Sequence, residues 1–178
     1  MKKIAFFTLI AFLLFTSCST GDDVLNIDDN LRSVEVDSEP KIIVFGMYYP
    51  RCETNLCVEV YQFNGKTLLE DVTNDKPSSN EFFKGIFKHQ VTLPNIRLDL
   101  LRLYNELPLP TLNSITGHTI GFPGSHDQPI YYLEYNEDGN RQFWTIDSDL
   151  DNLPKELHSY VRLLGGLIDI VHQADTTF

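Results

Sequence analysis

Residues 129–147 read PIYYLEYNEDGNRQFWTID, and this stretch decides the fold. Two runs rich in β-branched and aromatic residues, 129–136 and 141–147, flank the pair Asp138-Gly139. A turn-forming pair of this kind between two alternating runs is the strongest short-range signal of a β-hairpin. The stretch therefore predicts two antiparallel strands joined by a tight turn.

A second hairpin is predicted upstream. Residues 57–63 (CVEVYQF) alternate, Asn64-Gly65 forms a two-residue turn signal, and 66–72 return as the partner strand. The apolar run 41–48 (KIIVFGMY) predicts another strand, and the alternation within 81–91 favours one more. Most of the predicted sheet is therefore antiparallel.

Two helices complete the pattern. The first begins near Pro94 and ends before Pro108, and the second covers residues 153–172. The second has one apolar stripe at helical spacing, formed by Leu157, Tyr160, Val161, Leu164, Leu167, Ile168 and Val171. Residues 73–80 and 111–128 are predicted loops. We therefore expect an α+β fold, a mostly antiparallel sheet of hairpins with the C-terminal helix packed on one face.

The N-terminus has the features of an export signal. Lys2 and Lys3 precede an apolar run from residue 4 to 15, and Thr16-Ser17-Cys18 follows. The run is shorter than the roughly 20 residues that span a bilayer. The segment before Cys18 resembles the lipobox of bacterial lipoproteins, although Phe15 stands where leucine is usual. The resemblance implies cleavage after residue 17 and acylation of Cys18.

The chain after Cys18 is acidic and sparse in apolar residues up to Pro40. Such a stretch cannot bury enough surface to fold alone. We therefore expect residues 1–17 to be a signal peptide, 18–39 an acylated, disordered tether, and 40–175 a single globular domain. The tether also resembles the acidic signal of Bacteroidetes-type surface lipoproteins, which implies an outer-membrane anchor at the cell surface. Alternatively, the stretch is only a solvated linker, and the anchored protein faces the periplasm.

The remaining cysteines, Cys52 and Cys57, would share an oxidising compartment, where a pair favours a disulfide. A zinc site would need two further ligands, and a redox-active pair normally has C-x-x-C spacing. A structural disulfide is the favoured interpretation of the pair, with these two as alternatives.

The charge balance argues against a nucleic-acid partner. Removing Lys2 and Lys3 from the 14 basic residues leaves 12 against 25 acidic ones, a net charge of −13 with His neutral. Binding to a phosphate backbone depends on Lys and Arg contacts. The expected partners are the membrane, through the lipid, and an envelope or extracellular protein.

Candidate metal ligands occur in two stretches. The glycine-rich loop 117–127 brings two histidines and a carboxylate together, and residues 147–151 begin like a calcium loop. Asn152 and His158 stand where that loop needs Gly and bidentate Glu, so the second match is incomplete. The candidate ligands are His118, His126, Asp127, Asp147, Asp149 and Asp151.

Familiar catalytic motifs such as Gly-x-Ser-x-Gly and His-Glu-x-x-His are missing, so no catalytic residue and no cofactor are predicted. A carboxylate pair, Glu134 and Asp147, falls on facing strands of the hairpin. Aromatic residues are numerous, and if Tyr131 faces the core, strand alternation makes Tyr132 face outward; the alternative is that these aromatics belong to the core. Tyr132 and Trp144 are therefore candidate binding residues.

The segments Phe45-Gly46, Cys52 to Cys57 with Tyr61, and Thr119-Ile120-Gly121 before 130–134 resemble a group of small, uncharacterised Bacteroidetes-type lipoproteins. The resemblance brings no known activity. We expect a membrane-anchored surface lipoprotein that acts as a non-enzymatic binding or accessory module. The alternatives are a metal- or calcium-dependent enzyme and an inhibitor of a secreted enzyme.

Overall fold

A computed structural model describes residues 40–52, 54, 57–92 and 94–175. These residues belong to one compact unit, residues 37–178. The predicted signal peptide, the lipidation site Cys18 and the predicted tether lie outside the described residues.

A sheet of seven strands forms the centre of the described part. The strands are β1 Ile42–Tyr48, β2 Val58–Phe63, β3 Leu68–Asp71, β4 Phe87–Val91, β5 Thr119–Ile120, β6 Ile130–Glu137 and β7 Asn140–Asp147. Their order across the sheet is β4-β3-β2-β1-β6-β7-β5. All neighbours are antiparallel except β5 and β7, which are parallel. The predicted mostly antiparallel α+β fold is confirmed.

The predicted hairpin of β6 and β7 is present in the predicted register. Glu137 lies opposite Asn140, and Asp138 and Gly139 form the turn with φ of 51° and 77°. A two-residue type I′ turn requires positive φ at both central positions. The Asp-Gly pair therefore sets the register of the two longest strands.

The turn between β2 and β3 is displaced by one residue from the prediction. The backbone N–H of Asn64 donates to the carbonyl of Thr67 (3.4 Å), which places Gly65 and Lys66 at the tip. The side-chain oxygen of Asn64 accepts the N–H groups of Lys66 and Thr67 at 3.0 and 2.8 Å. Asn64 thus closes the turn through its side chain, a common role of Asn in turns.

One face of the sheet, here called the helix face, is covered by three helices. These are α1 Arg97–Asn105, after a 3₁₀ turn at Pro94–Ile96, α2 Leu109–Ser114, and α3 His158–Asp175. The whole predicted apolar stripe is buried, with Leu164, Ile168 and Val171 at 0% exposure, and its first residue, Leu157, lies in the 3₁₀ turn Lys155–Leu157 just before α3. The predicted C-terminal helix on one face of the sheet is therefore confirmed.

Gly165 lets α3 approach the sheet. A Cβ at this position would lie 2.5 Å from the hydroxyl oxygen of Tyr131 on β6, whereas a Cβ at Gly166 would meet nothing within 4 Å. Of the two adjacent glycines, only the first serves close packing.

The prediction of a continuous loop at 111–128 is wrong in two places. Residues up to Ser114 belong to α2, which has Pro110 in its first turn, where a proline fits a helix start. The prolines expected only to end α1 therefore also start α2. Strand β5 was missed because two residues paired with a distant strand leave no local pattern.

The opposite face of the sheet, the second face, is covered by residues 72–86, which we call the cover segment. Phe83 is buried there among Val44, Val60, Tyr132 and Phe143. Only 87–91 of the predicted strand 81–91 joins the sheet, because the residues before it cross this face instead. The prediction that Tyr132 faces outward is wrong. The cover segment leaves its side chain 0% exposed.

Candidate functional site

Three loops meet at the end of the sheet where β1 and β7 finish and β2 and β6 begin. They are the disulfide loop, of which residues 49–52, 54 and 57 are described, part of the cover segment, and residues 121–129, which contain most of the predicted glycine-rich loop and keep that name below. We call this region the loop end. Two open clefts lie there, and each is lined by residues from more than one of these loops.

The disulfide loop is held at both its sides. Cys52 and Cys57 form the predicted disulfide, with Cα atoms 5.8 Å apart. The N–H of Tyr49 donates to the carbonyl of Cys57 at 3.0 Å, and Lys76 Nζ donates to the carbonyls of Pro50 (3.1 Å) and Cys52 (2.5 Å). The cover segment thus supports the loop through a lysine that sequence reasoning did not single out.

Asp147 fixes the glycine-rich loop. Its carboxylate is 1% exposed and accepts the backbone N–H of Phe122 at 2.9 Å. It also accepts the side-chain amide of Asn152 at 2.8 Å and the N–H of Asp149 at 2.9 Å. Gly121 lies directly against it with φ 77°, and a Cβ there would come within 2.7 Å of the Asp147 Cβ. A buried carboxylate needs such hydrogen-bond donors. Because one of them is the backbone N–H of Phe122, this carboxylate fixes the position of the glycine-rich loop.

Phe122 projects from this fixed loop into solvent. Its side chain is 71% exposed, although its N–H is held by Asp147 and its carbonyl accepts the N–H of Ser125 at 3.1 Å. Tyr49, on the disulfide loop, is exposed by 37%. Phe122 was not predicted, and the only sequence signal for it was the spacing of glycines around it.

The two clefts differ in chemistry. The first, of about 470 Å³, is mostly apolar and lies around the disulfide between Tyr49, Pro50, Thr54 and Asp127. The charged residues among its described lining, Arg51 and Asp127, are paired with each other at 3.0 Å. The second, of about 520 Å³, lies between the cover segment and the glycine-rich loop. It is lined by Tyr48, Ser79, Thr119, Phe122, Thr145 and neighbouring loop residues.

Two of the candidate metal ligands predicted in the loop 117–127, His118 and Asp127, contact other protein groups. The His118 ring stacks on Phe143 with centroids 4.2 Å apart, and its Nδ1 lies 3.0 Å from the Phe143 carbonyl oxygen. Asp127 pairs with Arg51, and the side chain of His126 lies outside the described part of the structure. No group of three or more His, Cys, Asp or Glu side chains in the described part could hold a metal ion.

The residues that resemble a calcium loop form a series of turns. Asp147 Oδ1 accepts the N–H of Asp149, and Asp149 Oδ1 accepts the N–H of Asp151 at 3.0 Å. Carboxylates that accept the N–H two residues ahead are typical of Asx turns. They lead the chain from β7 into the 3₁₀ turn Leu150–Asn152.

Two further predictions are corrected by the register and by burial. Glu134 pairs with Phe143 and Asp147 with Ile130, so the two carboxylates are four residues apart along the strands and do not form a catalytic pair. Trp144 is 3% exposed on the helix face, so neither it nor Tyr132 can form an exposed binding patch.

A histidine–carboxylate pair does exist elsewhere. His172 Nδ1 lies 2.7 Å from Glu59 Oε1, and the hydroxyl of Tyr61 donates to Glu59 Oε2 at 2.5 Å. These residues join α3 to β2 and line neither of the two clefts. Their arrangement serves the packing of the helix on the sheet.

Comparisons with family models, with curated proteins and with solved structures find no match to this chain. In the part of the chain that the structure describes, no helix is long and apolar enough to cross a membrane.

Proposed function

We propose that this protein is a lipid-anchored lipoprotein of the cell envelope, and that its folded domain is a non-enzymatic binding module with its contact surface at the loop end. The observation that supports the binding surface is Phe122. A large apolar side chain exposed to water is unfavourable, yet both backbone polar groups of this residue are held so that the ring stays outside.

The two clefts of the loop end favour binding over catalysis. The described charged residues of the first cleft, Arg51 and Asp127, pair with each other, and no histidine is among the described lining residues of either cleft. General acid–base or nucleophilic chemistry would need a base within hydrogen-bond reach of a reacting group. The lining offers apolar contact and hydroxyl groups, which suit recognition.

The anchor is supported by the sequence before residue 19. Acyl chains on Cys18 would hold the protein at a membrane, since two or more hydrophobic anchors give stable attachment. The location that fits best is the outer membrane, at the cell surface or facing the periplasm. The partners would be the membrane itself and an envelope or extracellular molecule, with no nucleic acid because of the net charge of −13 in the mature chain.

The anchor is tested by growing cells with radiolabelled palmitate. We expect label in the wild-type protein and none in Cys18→Ala, with the signal peptide retained on the variant. Equal labelling of the two proteins would contradict the lipoprotein assignment.

The binding surface is tested by placing a photo-crosslinking amino acid at Phe122 in intact cells. The matched control is Leu98, which is 80% exposed on α1 and lies on the helix face of the fold. We expect discrete adducts from position 122 that are absent at position 98. The same pattern from both positions, or no adduct from either, would remove the loop end as the contact surface.

A further inference from the structure

We propose that the second cleft is a binding site for a short neutral saccharide, with Phe122 as its stacking face and Thr119 as a hydrogen-bond acceptor. The proposal deepens the proposed function and rests on it, because it names the ligand class of the same surface.

The lining of this cleft is polar but uncharged. Hydroxyl groups come from Ser79, Thr119, Ser125 and Thr145, and among the lining residues that the structure describes there is no Asp, Glu, Lys, Arg or His. Burial raises the pKa of the Tyr48 phenol, which therefore stays neutral. Phosphate and carboxylate ligands are normally held by Arg or Lys, so a charged ligand does not match this cleft.

The two threonines define a direction for hydrogen bonding. Thr145 Oγ1 donates its single hydrogen to the carbonyl of His118 at 3.2 Å. In the 3.3 Å contact between the hydroxyls of Thr119 and Thr145, Thr119 must then be the donor. The lone pairs of Thr119, which is exposed, are left to accept a hydrogen from a ligand hydroxyl.

Phe122 supplies the apolar half of the site. The face of an aromatic ring carries negative charge density, and it attracts the weakly positive C–H groups on one face of a sugar ring. The cleft holds about 520 Å³, within the roughly 300–1,000 Å³ of small-molecule sites. An aromatic face beside several hydroxyls fits a ligand that has both C–H faces and many hydroxyl groups.

The experiment uses the full chain, purified in a zwitterionic detergent because sugar-headed detergents would compete. The protein is first applied to an array of neutral, sialylated and sulfated oligosaccharides. Calorimetry with the strongest neutral binder then compares the wild type with four variants. These are Phe122→Ala, Phe122→Trp, Thr119→Val and the control Leu98→Ala.

We expect neutral saccharides to bind and charged ones to bind no better. Phe122→Ala should weaken binding about tenfold and Thr119→Val about fivefold. Phe122→Trp should retain binding, because the larger ring preserves the stacking face, and Leu98→Ala should equal the wild type. This pattern requires the aromatic ring and the hydroxyl themselves, since near-ultraviolet circular dichroism would show each variant folded.

Absence of saccharide binding, or binding that Phe122→Ala and Thr119→Val leave unchanged, would overturn the proposal. If crosslinks from position 122 then lead to a protein or to lipid, the saccharide assignment fails while the binding module stands. If position 122 gives no adducts either, both proposals fail together.

Discussion

The hydroxyl of Tyr132 joins the cover segment to the sheet, and its removal should be costly. It donates to Glu134 Oε2 at 2.7 Å and accepts the backbone N–H of Phe83 at 3.0 Å. Burial and the nearby charge of Glu134 raise the pKa of Tyr132 well above its ordinary value, so the group stays a donor. Tyr132→Phe removes one oxygen and keeps the shape of the ring.

The expected loss of stability follows from the two hydrogen bonds of the hydroxyl, one to Glu134 and one from the N–H of Phe83. A hydrogen bond to an ionised group contributes about 1.5–3 kcal/mol, and a buried N–H left unpaired costs about 1–3 kcal/mol. Glu134 keeps Arg141 at 2.6 Å, which limits the loss on that side. We therefore expect Tyr132→Phe to lower the free energy of unfolding by about 3 kcal/mol.

Tyr135→Phe is a matched control on the same strand. Its hydroxyl donates to Glu137, also two residues ahead, but Glu137 is exposed and regains water when the bond is lost. The expected cost is below about 1 kcal/mol. Urea unfolding followed by the fluorescence of Trp144, the single tryptophan, measures both variants. Costs that agree within about 0.5 kcal/mol would refute the assigned role of the buried hydroxyl.

Three further predictions concern stability. Gly46→Ala should prevent stable folding, since a Cβ there would overlap the carbonyl oxygen of Glu59 and lie 2.7 Å from the Cα of Val60. Gly166→Ala should instead raise the free energy of unfolding by about 1 kcal/mol, because a Cβ there meets nothing within 4 Å and alanine favours a helix over glycine. Urea unfolding measures both variants, and equal changes in the free energy of unfolding would contradict the close approach of β2 to Gly46. Changing Cys52 and Cys57 together to Ser should cost about 2 kcal/mol by the loop-closure argument, and no change in the urea midpoint would count against it. Burial, the hydrogen bond to a neighbouring glutamate and nearby negative charges raise the pKa of Tyr135 to about 12. The pKa of an unfolded tyrosine is about 10. The contribution of the neutral Tyr135 phenol to the free energy of unfolding is therefore complete below about pH 10 and is lost as the pH rises toward 12. Between about pH 9 and about pH 11, the free energy of unfolding should fall less for Tyr135→Phe than for the wild type, as urea unfolding at the two pH values would show.

Much of the fold could be predicted because its signals are local. The Asp138-Gly139 pair defines one hairpin, and the apolar stripe of the C-terminal helix identifies the face that it buries. Where the prediction failed, the deciding contact is distant in sequence. β5 exists only through its pairing with Thr145 and Ile146. Tyr132 is buried by Phe83, 49 residues earlier in the chain.

The candidate site could be predicted only as a region. The spacing of glycines identifies the loop before residue 128, but two candidate metal ligands in it contact other protein side chains. His118 stacks on Phe143, and Asp127 pairs with Arg51. Phe122 went unnoticed because an aromatic residue in a sequence usually signals a core position. Its exposure follows from its hydrogen bond to Asp147, 25 residues away.

The cover segment has a consequence for the order in which the chain folds. Its polar anchors on the sheet come from three strands, through Asp71 on β3, Tyr132 on β6 and Arg141 on β7, and β2 and β1 lie between β3 and β6. None of these anchors is in place until the strands have assembled in register. Contacts over 49 and 58 residues also close large loops, which slows their formation. The cover segment should therefore dock last, so that its arrival marks the completion of the sheet beneath it.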